Sequence, residues 1–287
     1  LLFDAVAQTL LTFGRQELGG TIGVTLVLHT WDQQLRPHFH LHAVVPSGAL
    51  SPDRCQWIAG GSKFLFPVRG LSKMFRAKYL DGLEELLQQG LLDLPPQLVA
   101  LREKEGRQRL LRQWRKKAWV VYSKPPFAGP RKLIDYLSRY THRVAISNDR
   151  LLRCQDGQVT FSYRDRRDGN CRKTTAIPAD EFIERFLKHV LPDRFMKIRH
   201  YGLLANRGKS DRLTLCRRLL GCPDPRADDA PPQSASDWMW HLLEIDTTRC
   251  PCCGAILHRQ LFEPALPTRS PPHTSTWSPT VFKTRPP

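Results

Sequence analysis

The sequence of 287 residues contains no run of about 18 or more apolar residues, so it offers no ordinary membrane-spanning helix. It also lacks a basic segment followed by an apolar segment at its start, which a secretory signal would require. Its eight cysteines are scattered rather than gathered into a compact disulfide framework, as is typical of a reducing compartment. These absences predict a cytoplasmic protein with no membrane partner.

Acidic residues are scarce relative to basic ones. The chain has 44 Lys plus Arg against 27 Asp plus Glu, giving a formal net charge of +17. Such a surface attracts polyanions, and each neutralised phosphate releases counterions that add to the affinity. DNA is therefore the expected partner, although charge alone leaves open a basic protein with no nucleic-acid role.

The periodicity of apolar residues predicts an α+β protein with a mainly antiparallel sheet flanked by helices. Helices are predicted over residues 1–18, 71–89, 96–115, 129–140, 178–190 and 208–220. Strands are predicted over residues 21–28, 38–45, 63–68, 118–123, 143–147 and 150–164. We expect one domain over residues 1–221, a linker over 222–237, a small cysteine-containing module over 238–263 and a disordered tail over 264–287.

Three histidines lie at alternate positions of the predicted second strand, which we expect to be central in the sheet. His38, His40 and His42 share one face, because successive side chains of a strand point to opposite sides. We predict His40 and His42 as metal ligands, with His38 as a third ligand, a group that supports a ligand, or a phosphate contact. Ligand type alone favours zinc over magnesium, and a merely hydrogen-bonded polar face is the alternative.

Two tyrosines lie four residues apart on a predicted short helix, which places Tyr136 and Tyr140 on one face. The basic residues around them are Lys132, Arg139, His142 and Arg143. A phenol can attack phosphorus when cations assist its ionisation and mask the phosphate charge. The alternative is a pair of aromatic side chains that merely cover a seam between helix and sheet.

Together these two features resemble the HUH endonucleases, and within them the two-tyrosine rolling-circle transposases of bacterial insertion sequences. The resemblance rests on segments Arg36–Gly48, Asp135–Asn148 and Lys197–Ala205 and covers about residues 1–221. It implies a nucleoid-associated enzyme that nicks and rejoins single-stranded DNA at transposon ends. One of the two tyrosines would form a 5′-phosphotyrosine link, and the other would serve a second strand transfer.

The resemblance further implies Mg or Mn, held by His40, His42 and a third polar group. His38 is the first choice for that group, and Asp32 is another. Such proteins usually begin with a cysteine-rich zinc-binding domain, so we expect the chain to be a fragment that lacks it. Two other hypotheses remain: a DNA-binding remnant without catalysis, and a zinc-dependent hydrolase that uses the histidine cluster to activate water.

Two further groups are predicted to bind ligands. The basic helix before the tyrosines suggests DNA-backbone contacts by Arg112, Arg115 and Lys116. Cys250 and Cys253 form a Cys-x-x-Cys pair followed by glycine, which suggests zinc, although no second pair follows at the right spacing. The alternative is a pair of reduced thiols without an ion. The sequence does not determine the oligomeric state.

Overall fold

The computed structural model divides into two compact units, Leu1–Ala230 and Pro231–Pro287. It describes residues 1–257 except 62–64, 128, 142–144, 166–167, 223–233, 235, 238, 241–245 and 251. At residues 130, 135 and 138–141 it describes the backbone alone. Most of the predicted linker and all of the predicted tail lie outside the described residues, so the predicted domain limits stay predictions.

The described part of the chain contains six α-helices and eight β-strands, and every strand pairing is antiparallel. The α-helices are α1 Leu2–Glu17, α2 Val68–Gln88, α3 Lys104–Lys116, α4 Pro130–Thr141, α5 Ala179–Leu187 and α6 Lys209–Leu219. The strands are β1 Gly23–Trp31, β2 Pro37–Val44, β3 Gly48–Leu50, β4 Trp57–Ala59, β5 Leu151–Gln155, β6 Gln158–Asp165, β7 Cys171–Pro178 and β8 Ile198–Gly202. The predicted α+β class with antiparallel sheets is confirmed.

The first sheet has the strand order β2-β1-β8, and both pairings are antiparallel. The buried side chains Val24 and Leu26 of β1 join Phe3, Leu10 and Phe13 of α1 in the main hydrophobic core. Because side chains alternate along β1, Thr25, Val27 and His29 face the opposite side of the sheet from Val24 and Leu26. The core thus fixes the strand that carries one side of the candidate site.

The histidine strand, β2, is not central as predicted but lies at an edge of this sheet. Among the described residues, β2 pairs with β1 alone. Segment 118–123, predicted as a strand, forms no strand and does not pair with β2. Phe39 on β2 is 66% exposed, so the core covers this strand only in part. The alternating histidines show which face of the strand is polar, but they do not show whether one or two strands pair with it.

The second three-stranded sheet, β5-β6-β7, lies beside the turn between β1 and β2. Its buried Phe161 and Ile177 pack with Phe182 of α5 and with Leu35, a fully buried residue of that turn. Leu35 has a φ of 62°, a left-handed conformation that a branched apolar residue adopts only when packing compensates for the strain. This sheet therefore holds the turn of the histidine hairpin.

Several local predictions were wrong. The helix predicted over 96–115 is divided, because Glu103 is extended between a 3₁₀ segment, Pro96–Arg102, and α3. Strands β3, β4, β7 and β8 were not predicted. The strand predicted over 63–68 is absent from the described part of that range, where α2 begins at Val68, and the one over 143–147 is absent from residues 145–147.

Among the described residues, no helix combines the length and the apolar character that crossing a membrane requires.

Candidate metal centre and tyrosine site

The strongest cluster of metal-binding side chains joins the two strands of the histidine hairpin. His29 of β1 is 4% exposed and lies opposite His40 of β2 in the antiparallel register. His42 lies two residues further along β2 and therefore on the same face. One nitrogen from each of the three imidazoles lies within 4.8 Å of the others. Within the described chain, this is where three metal-binding side chains converge.

Hydrogen bonds of the outer ring nitrogens are consistent with a metal-binding tautomer for the two β2 histidines. His40 Nδ1 lies 2.9 Å from the backbone oxygen of His38, which accepts a hydrogen bond only if Nδ1 carries the proton. The Nε2 atoms of His40 and His42 face each other at 3.1 Å. With His40 protonated at Nδ1, its Nε2 presents a lone pair to the centre of the cluster.

The three nitrogens fit a divalent ion. Bonds of about 2.0–2.1 Å from imidazole nitrogen to metal would allow donors up to about 4.2 Å apart. The nitrogens of the triad lie within 4.8 Å of one another, so ring rotations that bring the most distant pair about 0.6 Å closer would let all three reach one ion. Three imidazoles also leave coordination positions open, as a catalytic ion requires. A histidine triad that can hold a metal is thus present.

Neither of the two side chains named from sequence as third ligands belongs to this triad. The His38 ring packs against that of His40, with centroids 4.7 Å apart, but His38 is outside the triad. Asp32 is engaged in the hairpin turn, where its carboxylate accepts hydrogen bonds from the Gln34 and Arg36 amides and the Arg36 side chain. Partial burial opposes ionisation of Asp32, but the bonds from Arg36 and Gln34 outweigh it and lower its pKa. The third imidazole of the group is therefore that of His29.

Sequence reasoning missed His29 by one residue. The first strand was predicted to end at residue 28, whereas β1 continues to Trp31. The alternation of Val27, His29 and Trp31, opposite a histidine strand, is the signal that would have found it.

Packing fixes the plane of His29. Its ring stacks on Trp31 with centroids 4.8 Å apart and an interplanar angle of 15°. Trp31 in turn contacts the buried His189, whose ring nitrogens are held by Thr30 Oγ1 at 3.1 Å and by the Leu35 carbonyl at 2.9 Å. A buried network of this kind limits the rotation of the imidazole that faces the cluster.

Tyr136 of α4 reaches the cluster through His42. Its hydroxyl lies 2.5 Å from His42 Nδ1, the ring nitrogen opposite the one that faces His40. The ring of Phe127 packs on that of Tyr136 at 5.2 Å between centroids, and Lys124 Nζ lies 5.7 Å from the Tyr136 centroid. The phenol is thus held between a histidine of the triad and a lysine ammonium.

The other residues predicted around the tyrosines are described less fully. Arg139 and Tyr140 lie three and four residues after Tyr136 on the helical backbone of α4. The structure does not describe their side chains. Arg143 lies wholly outside them. Lys132 is exposed on α4. Helix α4 packs against β1, which brings the tyrosine helix to the histidine hairpin.

The basic residues predicted on α3 differ in their environments. Arg115 forms ion pairs with Asp81 at 3.0 Å and Glu84 at 3.5 Å, which join α3 to α2. Arg112 donates a hydrogen bond to the Gln108 carbonyl of its own helix, and Lys116 is exposed at the helix end. The charge of Arg115 is therefore shared with two carboxylates, and the residue also links α3 to α2.

The cysteine pair lies in the second unit. Gly254, with a φ of 73°, donates a backbone hydrogen bond to the Cys250 carbonyl and closes a tight turn. Hydrogen bonds from Cys252 and Cys253 lower the pKa of the Cys250 thiol. In the described part of this unit no third or fourth ligand joins the pair, and zinc there stays a prediction.

Comparison with known proteins identifies the family. Residues 23–211 match the model of the Y2 transposase family, whose description is "Putative transposase". The chain is 45% identical over 268 residues to the protein named Putative transposase y4qJ of Sinorhizobium fredii (strain NBRC 101917 / NGR234). It is 28% identical over 262 residues to the transposase for insertion sequence element IS801 of Pseudomonas savastanoi pv. phaseolicola. This chain therefore belongs to the two-tyrosine transposases of bacterial insertion sequences.

The matched regions cover 92% and 88% of this chain, and 67% and 60% of those two relatives, respectively. No solved structure matches the chain significantly.

Proposed function

We propose that this chain nicks and rejoins single-stranded DNA through a covalent phosphotyrosine, with Tyr136 as the attacking residue. The observation that carries the proposal is the 2.5 Å contact between the Tyr136 hydroxyl and His42 Nδ1. The same imidazole belongs to the histidine triad, so one side chain connects the nucleophile to the candidate metal centre. Membership of the two-tyrosine transposase family supports the assignment.

The reaction is a transesterification. The Tyr136 oxygen forms a bond to phosphorus while the bond from phosphorus to the 3′ oxygen breaks. The phenolic proton passes to solvent, and the departing 3′ oxygen takes up a proton, leaving a 3′-hydroxyl and a 5′-phosphotyrosine. Because the new ester conserves the bond, attack by a 3′-hydroxyl can rejoin a strand without a nucleoside triphosphate.

The protein groups divide this task between them. With Nε2 of His42 directed at the cluster, Nδ1 carries the proton and donates to the Tyr136 oxygen, which stabilises the phenolate. The Lys124 ammonium over the Tyr136 ring adds positive charge to the same site. A divalent ion held by His29, His40 and His42 would polarise the scissile phosphate when bound.

Of the two expected ions we propose Mn²⁺ rather than Mg²⁺. Imidazole nitrogen suits transition-metal ions, whereas Mg²⁺ prefers oxygen donors and keeps several waters. All three protein donors of the triad are imidazoles. We also propose that Tyr140, four residues after Tyr136 on α4, serves a second strand transfer.

The three-imidazole donor set also favours one alternative, a zinc-dependent hydrolase. Zinc bound by three histidines with an open position activates water, and that reaction needs no tyrosine. A covalent adduct separates the two functions, since only the transesterase links DNA to protein.

The test uses labelled single-stranded oligonucleotides that carry the two ends of the insertion element, incubated with the protein and Mn²⁺. We expect a labelled band at the mass of the protein on a denaturing gel, and its loss in the Tyr136→Phe, Tyr140→Phe double variant. Tyr163→Phe, on β6 of the other sheet, is the matched control and should keep the adduct. Cleavage without an adduct would support the hydrolase, and binding without cleavage would support a DNA-binding remnant.

The DNA that such an enzyme acts on lies in the bacterial nucleoid, where we propose the chain works. This location follows from the proposed substrate and from the bacterial origin of both relatives.

A further inference from the structure

Residues 118–127, which form most of the connector between α3 and α4, belong to neither a helix nor a strand and have two different faces. Trp119 packs on Phe75 and Tyr79, each at 5.3 Å between ring centroids, and Val121 packs on the main core. The intervening Val120 and Tyr122 are 93% and 79% exposed. The inner face therefore anchors the connector, whereas the outer face presents an aromatic ring to solvent.

This outer face leads directly to the candidate nucleophile. Lys124 and Phe127, later in the same connector, contact the Tyr136 ring. Tyr122 precedes Lys124 by two residues, which places their Cα atoms within about 7 Å of each other. Lys116 and Lys117, at the end of α3, supply positive charge at the opposite end of the connector from Lys124.

We propose that Tyr122 is a stacking platform for an unpaired base that flanks the phosphate attacked by Tyr136. The proposed ligand is a single DNA strand, so this inference rests on the proposed function and assigns it a base-binding position. Aromatic rings beside a cationic track are how proteins hold single strands with little sequence preference. A paired base has its faces covered by its neighbours in the stack, so Tyr122 would favour single strands over duplexes.

The charge of the connector supports this occupant. Lys124 is exposed on the same connector, two residues from Tyr122, and is placed to meet the backbone of a DNA strand whose base lies on the Tyr122 ring. The fold makes little use of the Tyr122 side chain, since four-fifths of its surface is open to solvent. Substitutions that remove the aromatic ring of Tyr122 should therefore weaken binding without altering stability.

The experiment measures fluorescence anisotropy of the full chain with a labelled 20-nucleotide single strand of mixed sequence and with its duplex, at one salt concentration. We expect Tyr122→Leu, which keeps apolar bulk but has no aromatic face, to bind the single strand about 5- to 150-fold more weakly. Tyr122→Phe should bind like the wild type, and Val120→Ala is the control for loss of apolar area. Duplex affinity should change less than twofold.

A second ligand isolates the base from the backbone. On a strand whose central nucleotides are abasic, the backbone charge is unchanged but the base faces are missing. We expect the difference between the wild type and Tyr122→Leu to disappear on that strand. An equal effect of Tyr122→Leu on mixed-sequence and abasic strands would overturn the inference, as would an unchanged affinity for the mixed-sequence strand.

The remaining outcomes separate this inference from the proposed function. If Tyr122→Leu binds normally while the wild type still forms the Tyr136 adduct, the stacking platform is refuted and the transesterase stands. If Tyr122→Leu binds the mixed-sequence strand more weakly but the abasic strand normally, and the wild type forms no adduct, the stacking platform stands and the nicking activity is refuted. A shift of Tyr122→Leu in sedimentation velocity, with normal DNA affinity, would assign the face to a second copy of the chain instead.

Discussion

Replacement of His29 tests the metal centre most directly, because the structure and the sequence pattern name different third ligands. His29→Phe keeps a planar ring that can still stack on Trp31, but it removes the nitrogen donor. His38→Ala is the matched control on the adjacent strand. The backbone oxygen of His38, rather than its side chain, accepts the hydrogen bond from His40 Nδ1, so this variant leaves that bond intact.

The expected magnitudes follow from these contacts. Loss of a group that merely orients a ligand lowers metal affinity by about 10- to 100-fold, so loss of a direct donor should reach at least about 100-fold. That factor corresponds to about 2.7 kcal/mol. His38→Ala should change the affinity by less than about threefold, since His38 lies outside the triad.

Isothermal titration with Mn²⁺ measures the dissociation constants of the purified His29→Phe and His38→Ala variants. His40→Ala serves as the positive control for loss of a ligand. A thermal scan without metal shows whether His29→Phe is folded. The reasoning is refuted if folded His29→Phe binds Mn²⁺ like the wild type while His38→Ala binds as weakly as His40→Ala.

Three further predictions concern the ion, the hairpin turn and the basic helix. Mn²⁺ at about 100 times its Kd should stabilise the wild type by about 2.7 kcal/mol and raise its Tm by roughly 5–10 °C. EDTA should abolish this shift, and His29→Phe should reduce it to about 2 °C or less. Asp32→Asn should destabilise the fold by about 1 kcal/mol at pH 7, through weaker bonds to Arg36. Because folding lowers the pKa of Asp32 from its usual 3.8, this stability is present above that pH, and urea titrations of the two proteins should converge as the pH falls through the lowered pKa. Lys116→Ala should reduce the slope of log affinity for DNA against log salt by about 1, whereas Arg115→Ala should change it less, because Asp81 and Glu84 already neutralise Arg115. Equal slopes for the two variants would contradict the last prediction.

The elements that the sequence predicted well are those with a strong local pattern. The strands predicted over 21–28 and 38–45 are β1 and β2 within three residues at each end, and α1 and α4 lie where the apolar period placed them. By contrast, β8, a run of five residues, becomes a strand through its pairing with β1. Segment 118–123 has the alternation of a strand but forms no ladder, because alternation reports two faces and not a hydrogen-bonded neighbour.

The sequence alone determined the excess of positive charge, the alternation that puts His40 and His42 on one face, and the helix that carries Tyr136. These properties depend on residues close together in the chain. Only the tertiary structure decided that His29 completes the triad in place of His38, since the register of β1 against β2 sets which imidazoles face each other. It also decided that the Tyr136 hydroxyl meets His42, 94 residues away, because that contact requires α4 to pack on β1. Contacts between distant segments follow from strand register and core packing, which the local pattern leaves undetermined.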